Sequence, residues 1–214
     1  MKRIAVLGAG GWGTAIACLL SGRGEVRLWD RDAERAKRMD RSRMNRDFLP
    51  GIRIPDAVTI TSSIRAAADG ANVLVFVTPS RDLPATARRV KPFSAAAHLV
   101  VSLSKGLEPT KGRRMSEVLA DTLRGRRHYG ALSGPSHAEE GSRGKPAVLA
   151  AAARDSGIAA EIRDLFMTDR LRIYTTTDIV GVEYGGALKN IIAIAAGISD
   201  GLGFGDNARA ALMT

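Results

Sequence analysis

Arg3-Ile4-Ala5-Val6-Leu7-Gly8-Ala9-Gly10-Gly11-Trp12-Gly13-Thr14-Ala15-Ile16-Ala17-Cys18-Leu19-Leu20 is the stretch on which the fold turns. Residues 3–7 form a short apolar run with β-branched members, the pattern of a buried strand, and residues 13–20 form an Ala-rich apolar run, the pattern of a helix. The glycines between them follow G-x-G-x-x-G. Alone, that spacing also suits an ordinary tight turn. Here a strand precedes it, a helix follows, and Asp30 closes the next apolar run (25–29) at about the 20-residue separation that a dinucleotide-binding unit requires. Gly8 permits the tight turn, Gly10 lets the backbone approach a pyrophosphate, and Gly13 lets the helix pack close to the strand. The helix N-terminus then offers free N–H groups and the positive end of its dipole to the phosphates.

Working outward, apolar β-branched runs alternate with amphipathic stretches. Strands are predicted at 58–61, 73–77, 98–103, 129–132, 148–152 and 171–174, and helices at 32–43, 81–90, 114–123 and 158–166. Strands with almost no polar alternation are buried on both faces, which predicts a parallel sheet covered by helices. Repeated βαβ order makes this a doubly wound, Rossmann-type α/β domain over residues 1–178. From 179 to 214 the chain is Gly- and Ala-rich helix without a strand signal, the beginning of an all-helical domain that would carry the substrate.

Composition narrows the function classes. Of 214 residues, 45% are apolar and 25% charged, as in ordinary globular proteins. No unbroken apolar run approaches the roughly 20 residues of a bilayer span, so no stable membrane insertion is expected. The basic, apolar start is cut short by the glycines, which argues against a signal peptide. The single cysteine, Cys18, cannot form an internal disulfide and fits a reducing cytoplasm. His98, His128 and His137 lack ligand spacing, so no metal site is expected. The net charge of +10 comes from scattered arginines without interleaved aromatics. That pattern suits anionic phosphorylated ligands better than nucleic acid.

Three further segments carry chemistry. Lys105 follows a buried strand in Ser102-Leu103-Ser104-Lys105-Gly106, at the edge where such sheets bind ligands. In Ser133-Gly134-Pro135-Ser136 a turn leaves N–H groups and the Ser136 hydroxyl free for an anion, or Ser136 caps a helix with Glu139 at its third position. In Gly185-Gly186-Ala187-Leu188-Lys189-Asn190 the lysine stands among apolar neighbours, where desolvation would lower its pKa toward an acid–base range. Cofactor choice stays open. Asp30 can bond the ribose 2′-OH of NAD, whereas Arg31 can meet the 2′-phosphate of NADP.

Together these motifs resemble the bacterial NAD(P)-dependent sn-glycerol-3-phosphate dehydrogenase family, from Lys2 to Thr214 and including Phe48-Leu49-Pro50-Gly51. The resemblance implies reduction of dihydroxyacetone phosphate to sn-glycerol 3-phosphate for glycerophospholipid synthesis. It also implies Lys189 as proton donor and acceptor, and Lys105, Gly134 and Ser136 at the substrate. Gly11, Trp12, Arg31, Lys105 and Ala138 match cofactor-contacting positions, beside Gly8, Gly10 and Gly13. The partner expected is a small phosphorylated molecule, with a homodimer as the candidate assembly. Family members continue well past the position of Thr214, so a fragment or a truncated relative is expected. The alternatives are a non-catalytic dinucleotide-binding fragment and a related β-hydroxyacid-type dehydrogenase.

Overall fold

The computed structural model describes residues 1–125, 127–135 and 138–213. The chain opens with β1 (Lys2–Leu7), α1 (Gly11–Leu20), β2 (Gly24–Trp29) and α2 (Ala33–Ser42). A hairpin of β3 (Met44–Asn45) and β4 (Leu49–Arg53) follows, then β5 (Val58–Thr61), α3 (Ile64–Ala68) and β6 (Val73–Phe76). Next come α4 (Leu83–Val90), β7 (Leu99–Ser102), α5 (Met115–Leu123) and β8 (His128–Ser133). The last elements are α6 (Ala138–Ser142), β9 (Ala147–Ala153), α7 (Ser156–Phe166), β10 (Leu171–Thr176), α8 (Ile179–Gly201) and α9 (Gly205–Met213).

Eight strands make one sheet in the order β10-β9-β8-β7-β6-β1-β2-β5. Every residue of β6 and β7 is buried, which is why both read as unbroken apolar runs. Alternate side chains feed two layers. Ile4, Val6, Val73 and Val75 pack with Ile16 and Leu20 of α1 on one face. Ala5, Leu7, Leu74 and Phe76 pack with Leu83 of α4 and Leu119 of α5 on the other. This is the doubly wound arrangement expected from the sequence. Helix α4 starts two residues later than expected, because Pro84 occupies its first turn, where a missing N–H costs nothing.

One expectation needs correcting. The sheet is mixed, since β9 pairs antiparallel with β8 (Gly130 opposite Ala153, Ser133 opposite Ala150) and β10 pairs parallel with β9. The segment joining β8 to β9 does not cross the sheet. Its helix α6 stays against α1, with Ala138 beside Gly11 and Gly141 beside the Trp12 ring. The next strand therefore starts where β8 ended, and no full-length crossover is needed.

A second correction concerns apolar length. Helix α8 has 23 residues, and an 18-residue window of it has a mean hydropathy of 1.3, so by length and composition only it could cross a bilayer. Glu183, Lys189 and Asp200 break up the run in the sequence and hide its length. Asp178 caps this helix, accepting from the Gly181 N–H at 2.8 Å. Ile179 packs on Ala131 and Ala152 of the sheet.

Candidate functional site

Space, rather than turn geometry alone, explains the glycines. Gly8 has φ +118°, and a Cβ there would meet the Val77 backbone at 3.0 Å. A Cβ on Gly13 would lie 1.8 Å from the Gly8 carbonyl oxygen, and one on Gly11 would lie 2.6 Å from that of Phe48. Gly10 differs, because a Cβ there meets nothing within 4 Å. The first N–H groups of α1 are capped by no side chain. Asn45, fully buried in β3, holds the turn from outside. Its Nδ2 donates to the Ala9 carbonyl at 2.9 Å and to the Thr14 hydroxyl at 2.8 Å.

A cleft of about 410 Å³ opens over this turn, lined among others by Gly8, Gly10, Asp30, Arg31, Phe48 and Thr78. The residues fit a dinucleotide. Space stands open beside Gly10, and the buried Thr78 Oγ1 has no hydrogen-bond partner. Sequence reasoning missed Thr78. The only signal was its place at the end of the buried strand next to β1.

The structure corrects the expectation for Asp30. It is 2% exposed, and both its oxygens are already engaged. Oδ2 accepts from Arg35 Nε at 2.7 Å, while Oδ1 accepts from Arg35 Nη2 at 2.6 Å and from the Asp32 N–H at 2.9 Å. Arg31 is free by comparison, with a 65% exposed side chain and one loose contact to Asp82 at 3.4 Å.

A second cavity, about 290 Å³, brings Lys105, Gly134 and Lys189 together with Ser133, Gly185 and Gly186. Lys105 Nζ donates to the Gly134 carbonyl at 2.9 Å. Gly134 has φ +149°, and a Cβ there would come within 2.9 Å of the Val148 carbonyl oxygen. A Cβ on Gly186 would meet the Ser133 hydroxyl at 2.6 Å, so only glycine lets α8 lie this close to the strand end. Burial, and then the charge of Lys189, pull the Lys105 pKa below the ordinary lysine value. Lys189 itself is exposed, so the burial expected for it is found at Lys105. Ser104 links the two cavities, its hydroxyl donating to the Thr78 carbonyl. Ala138 lies beside Gly11. Trp12 turns its ring away from the cleft, toward a separate apolar hollow lined by Cys18 and Leu19. Ser136 lies outside the described residues.

What positions α8 was not foreseen. Glu183 accepts from Arg114 Nη1 at 3.1 Å, from the Ser116 N–H at 2.8 Å and from the Ser116 hydroxyl at 2.6 Å. All three residues are buried. The cluster pins the start of α8 to the start of α5.

Comparison with known proteins points to one family. Residues 3–159 match the family described as NAD-dependent glycerol-3-phosphate dehydrogenase N-terminus, and residues 178–214 match the C-terminus of the same enzyme. A glycerol-3-phosphate dehydrogenase (NAD(P)+) of Moorella thermoacetica is 48% identical over 214 residues, covering 100% of this chain and 63% of the relative. One from Salinibacter ruber is 47% identical, covering 99% and 62%. The crystal structure of a glycerol-3-phosphate dehydrogenase from Coxiella burnetii superposes with a TM-score of 0.89 at 36% identity, covering 99% of this chain and 65% of that one. The chain thus spans a little under two thirds of the length of these relatives.

Proposed function

The chain belongs to the NAD-dependent glycerol-3-phosphate dehydrogenase family, and from that premise we propose that the whole protein reduces dihydroxyacetone phosphate to sn-glycerol 3-phosphate. The observation that carries this reading is the convergence of Lys105, Gly134 and Lys189 in one cavity, joined through Ser104 and Thr78 to the glycine-turn cleft.

In this reading the open face of Gly10, the uncapped N–H groups of α1 and the unpartnered Thr78 hydroxyl are the groups that would hold the cofactor's phosphates. Gly8, Gly11, Gly13, Arg31 and Ala138 complete that subsite, with Trp12 contributing its backbone N–H in the first turn of α1 rather than its ring. The bound nicotinamide supplies a hydride to the ketone carbon. Lys189 gives its ammonium proton to the ketone oxygen as negative charge builds there, so the carbonyl becomes a secondary alcohol. In the reverse direction it takes that proton back. Lys105, held by the Gly134 carbonyl, places a second positive charge beside the substrate phosphate, with Ser136 as a further contact.

The product fits a supply of glycerophospholipid backbone, made in the cytoplasm by a protein that works without a membrane partner. The apolar side of α8, with Leu188, Ile191 and Ile194 exposed, then belongs to a helix packed in protein rather than lipid, with a homodimer as the assembly.

The test is loss of reduced-nicotinamide absorbance when the whole protein meets dihydroxyacetone phosphate. Turnover is expected, and Lys189→Ala should lower it by about 10²–10⁴-fold. Turnover of another ketone with none of dihydroxyacetone phosphate would sink the substrate assignment.

A further inference from the structure

We infer that Arg35 sets the cofactor choice of this chain, by occupying Asp30 so that the cleft takes a 2′-phosphorylated dinucleotide in preference to one with a free 2′-hydroxyl. The inference rests on the dinucleotide reading of the cleft given above.

A carboxylate at the end of β2 selects the unphosphorylated cofactor in two ways. It accepts a hydrogen bond from the ribose 2′-OH, and its charge repels a phosphate placed there. Asp30 is equipped for neither. Its two oxygens face the guanidinium fork of Arg35, the planar bidentate geometry in which charge-assisted bonds are strongest, and Oδ1 also accepts from the Asp32 N–H. Turning it toward a ribose would exchange two short ionic bonds, in a buried place, for one bond to a neutral hydroxyl.

Arg35 cannot easily leave Asp30. It sits in the first turn of α2, where Asp32 caps its backbone N–H, and its guanidinium lies 5.0 Å from the centre of the Phe48 ring. Phe48 is in turn fixed to Asn45, whose Oδ1 accepts from the Phe48 N–H. The lock on Asp30 therefore continues into the clamp that holds the glycine turn.

With Asp30 neutralised, the cleft is cationic. Arg31, Arg35, Arg81 and Arg89 line it against the carboxylates of Asp30 and Asp82, so four positive charges face two negative ones, a net +2. Arg89 is held over the Trp29 ring at 5.2 Å. Arg31 is the adaptable member, since its contact with Asp82 is long and solvent-exposed and is easily surrendered. A 2′-phosphate brings up to two negative charges and three acceptor oxygens to this place, and a hydroxyl brings neither.

The test is isothermal titration of the protein with 2′,5′-ADP and with 5′-ADP, which differ only in the group under discussion. At moderate salt, 2′,5′-ADP is expected to bind at least about tenfold tighter, an advantage of one RT ln 10 step. Arg31→Ala should remove most of that advantage, weakening 2′,5′-ADP several-fold more than 5′-ADP. Arg35→Ala frees the Asp30 carboxylate and should collapse or invert the preference. Asp30→Asn guards against a folding defect in that variant. It removes the charge while keeping the shape, and should leave 5′-ADP affinity unchanged and the preference for 2′,5′-ADP intact or greater. Equal affinities in the unsubstituted protein, or a tenfold loss of 5′-ADP affinity in Asp30→Asn, would overturn the inference while leaving the cleft a dinucleotide site. Failure of both ligands to bind would overturn the dinucleotide reading with it.

Discussion

The two ends of the site are built in opposite ways. At the glycine turn the backbone itself borders the cleft, and at Gly8, Gly11 and Gly13 neighbouring backbone leaves no room for a side chain. At the other end, Lys189 stands exposed on a helix of 23 residues, of which only Ile179, Glu183 and Ser199 are buried. Packing fixes the first end on every side except the open face of Gly10. The second is fixed by the buried Glu183 cluster, by Ile179 on the sheet and by the close approach of Gly186 to Ser133, and Lys189 reaches the cavity from six residues beyond Glu183. The difference separates two tasks. A phosphate-binding turn can be completed within one sheet-and-helix unit. If Lys189 transfers the proton as proposed, it has to be carried in by a second element, and its accuracy is that of the joint.

Three experiments can break or sharpen that contrast. The largest effect is expected at the joint. Glu183→Ala leaves Arg114 its pair with Glu117 but deprives three buried donors, the Ser116 N–H, the Ser116 hydroxyl and one Arg114 N–H, of their acceptor, at about 1–3 kcal/mol for each donor left unsatisfied. Urea unfolding should show this loss, with dinucleotide binding retained wherever the sheet remains folded. A change within surface-mutation scatter would mean that α8 is held by something other than this cluster.

Next come the paired substitutions Gly13→Ala and Gly10→Ala. The first drives a methyl into the Gly8 carbonyl and should cost about 1–3 kcal/mol or more, as overpacking does. The second meets no atom and should alter stability by no more than about 0.5 kcal/mol, yet weaken dinucleotide binding, because the methyl occupies the face the pyrophosphate approaches. If both variants unfold alike, Gly10 is a packing residue and its assigned role is wrong.

The smallest effect is a pH dependence at Lys105. Its pKa is lowered from the ordinary 10.5, by burial first and the Lys189 charge second, so the folded protein releases this proton before the unfolded chain does. Between those two values the unfolded state holds more protons, and stability rises with pH across that window. Affinity for a phosphorylated ligand should move the other way and fall as Lys105 loses its charge. Lys105→Met should remove both slopes in titrations followed by calorimetry. Slopes that survive the substitution would place the titrating group elsewhere.

These contrasts track what was legible in the sequence. The glycine turn could be read because backbone conformation and close packing restrict residue choice, so the chemistry is written into four glycines. The central strands could be read because burial on both faces removes polar residues. The β3–β4 hairpin escaped notice because it is short and carries Pro50 and Gly51, which read as loop. The direction of β9 was hidden because an Ala-rich buried strand has the same composition whichever way it runs. Glu183 and Arg114 lie 69 positions apart, and nothing local marks either as the other's partner. Arg35 could have been suspected. An arginine five residues beyond Asp30, in the first turn of a helix capped by Asp32, is within reach of that carboxylate, but composition cannot tell a neutralised aspartate from an available one.

The antiparallel entry of β9 makes the end of the sheet a matter of parity. Two reversed strands leave the chain, at Thr176, travelling away from the edge where ligands bind, so the helix that follows has to double back. Doubling back takes α8 along β8, from Ala131 at its first residue to Ser133 at Gly186, and points the rest of the helix over the crevice. Had β9 and β10 run with the other strands, the same helix would start at the crevice and descend from it, taking its lysine to the wrong pole of the molecule. Relatives that lengthen or shorten this end of the sheet are therefore expected to keep the chain leaving its last strand in the same sense, whatever the strand count.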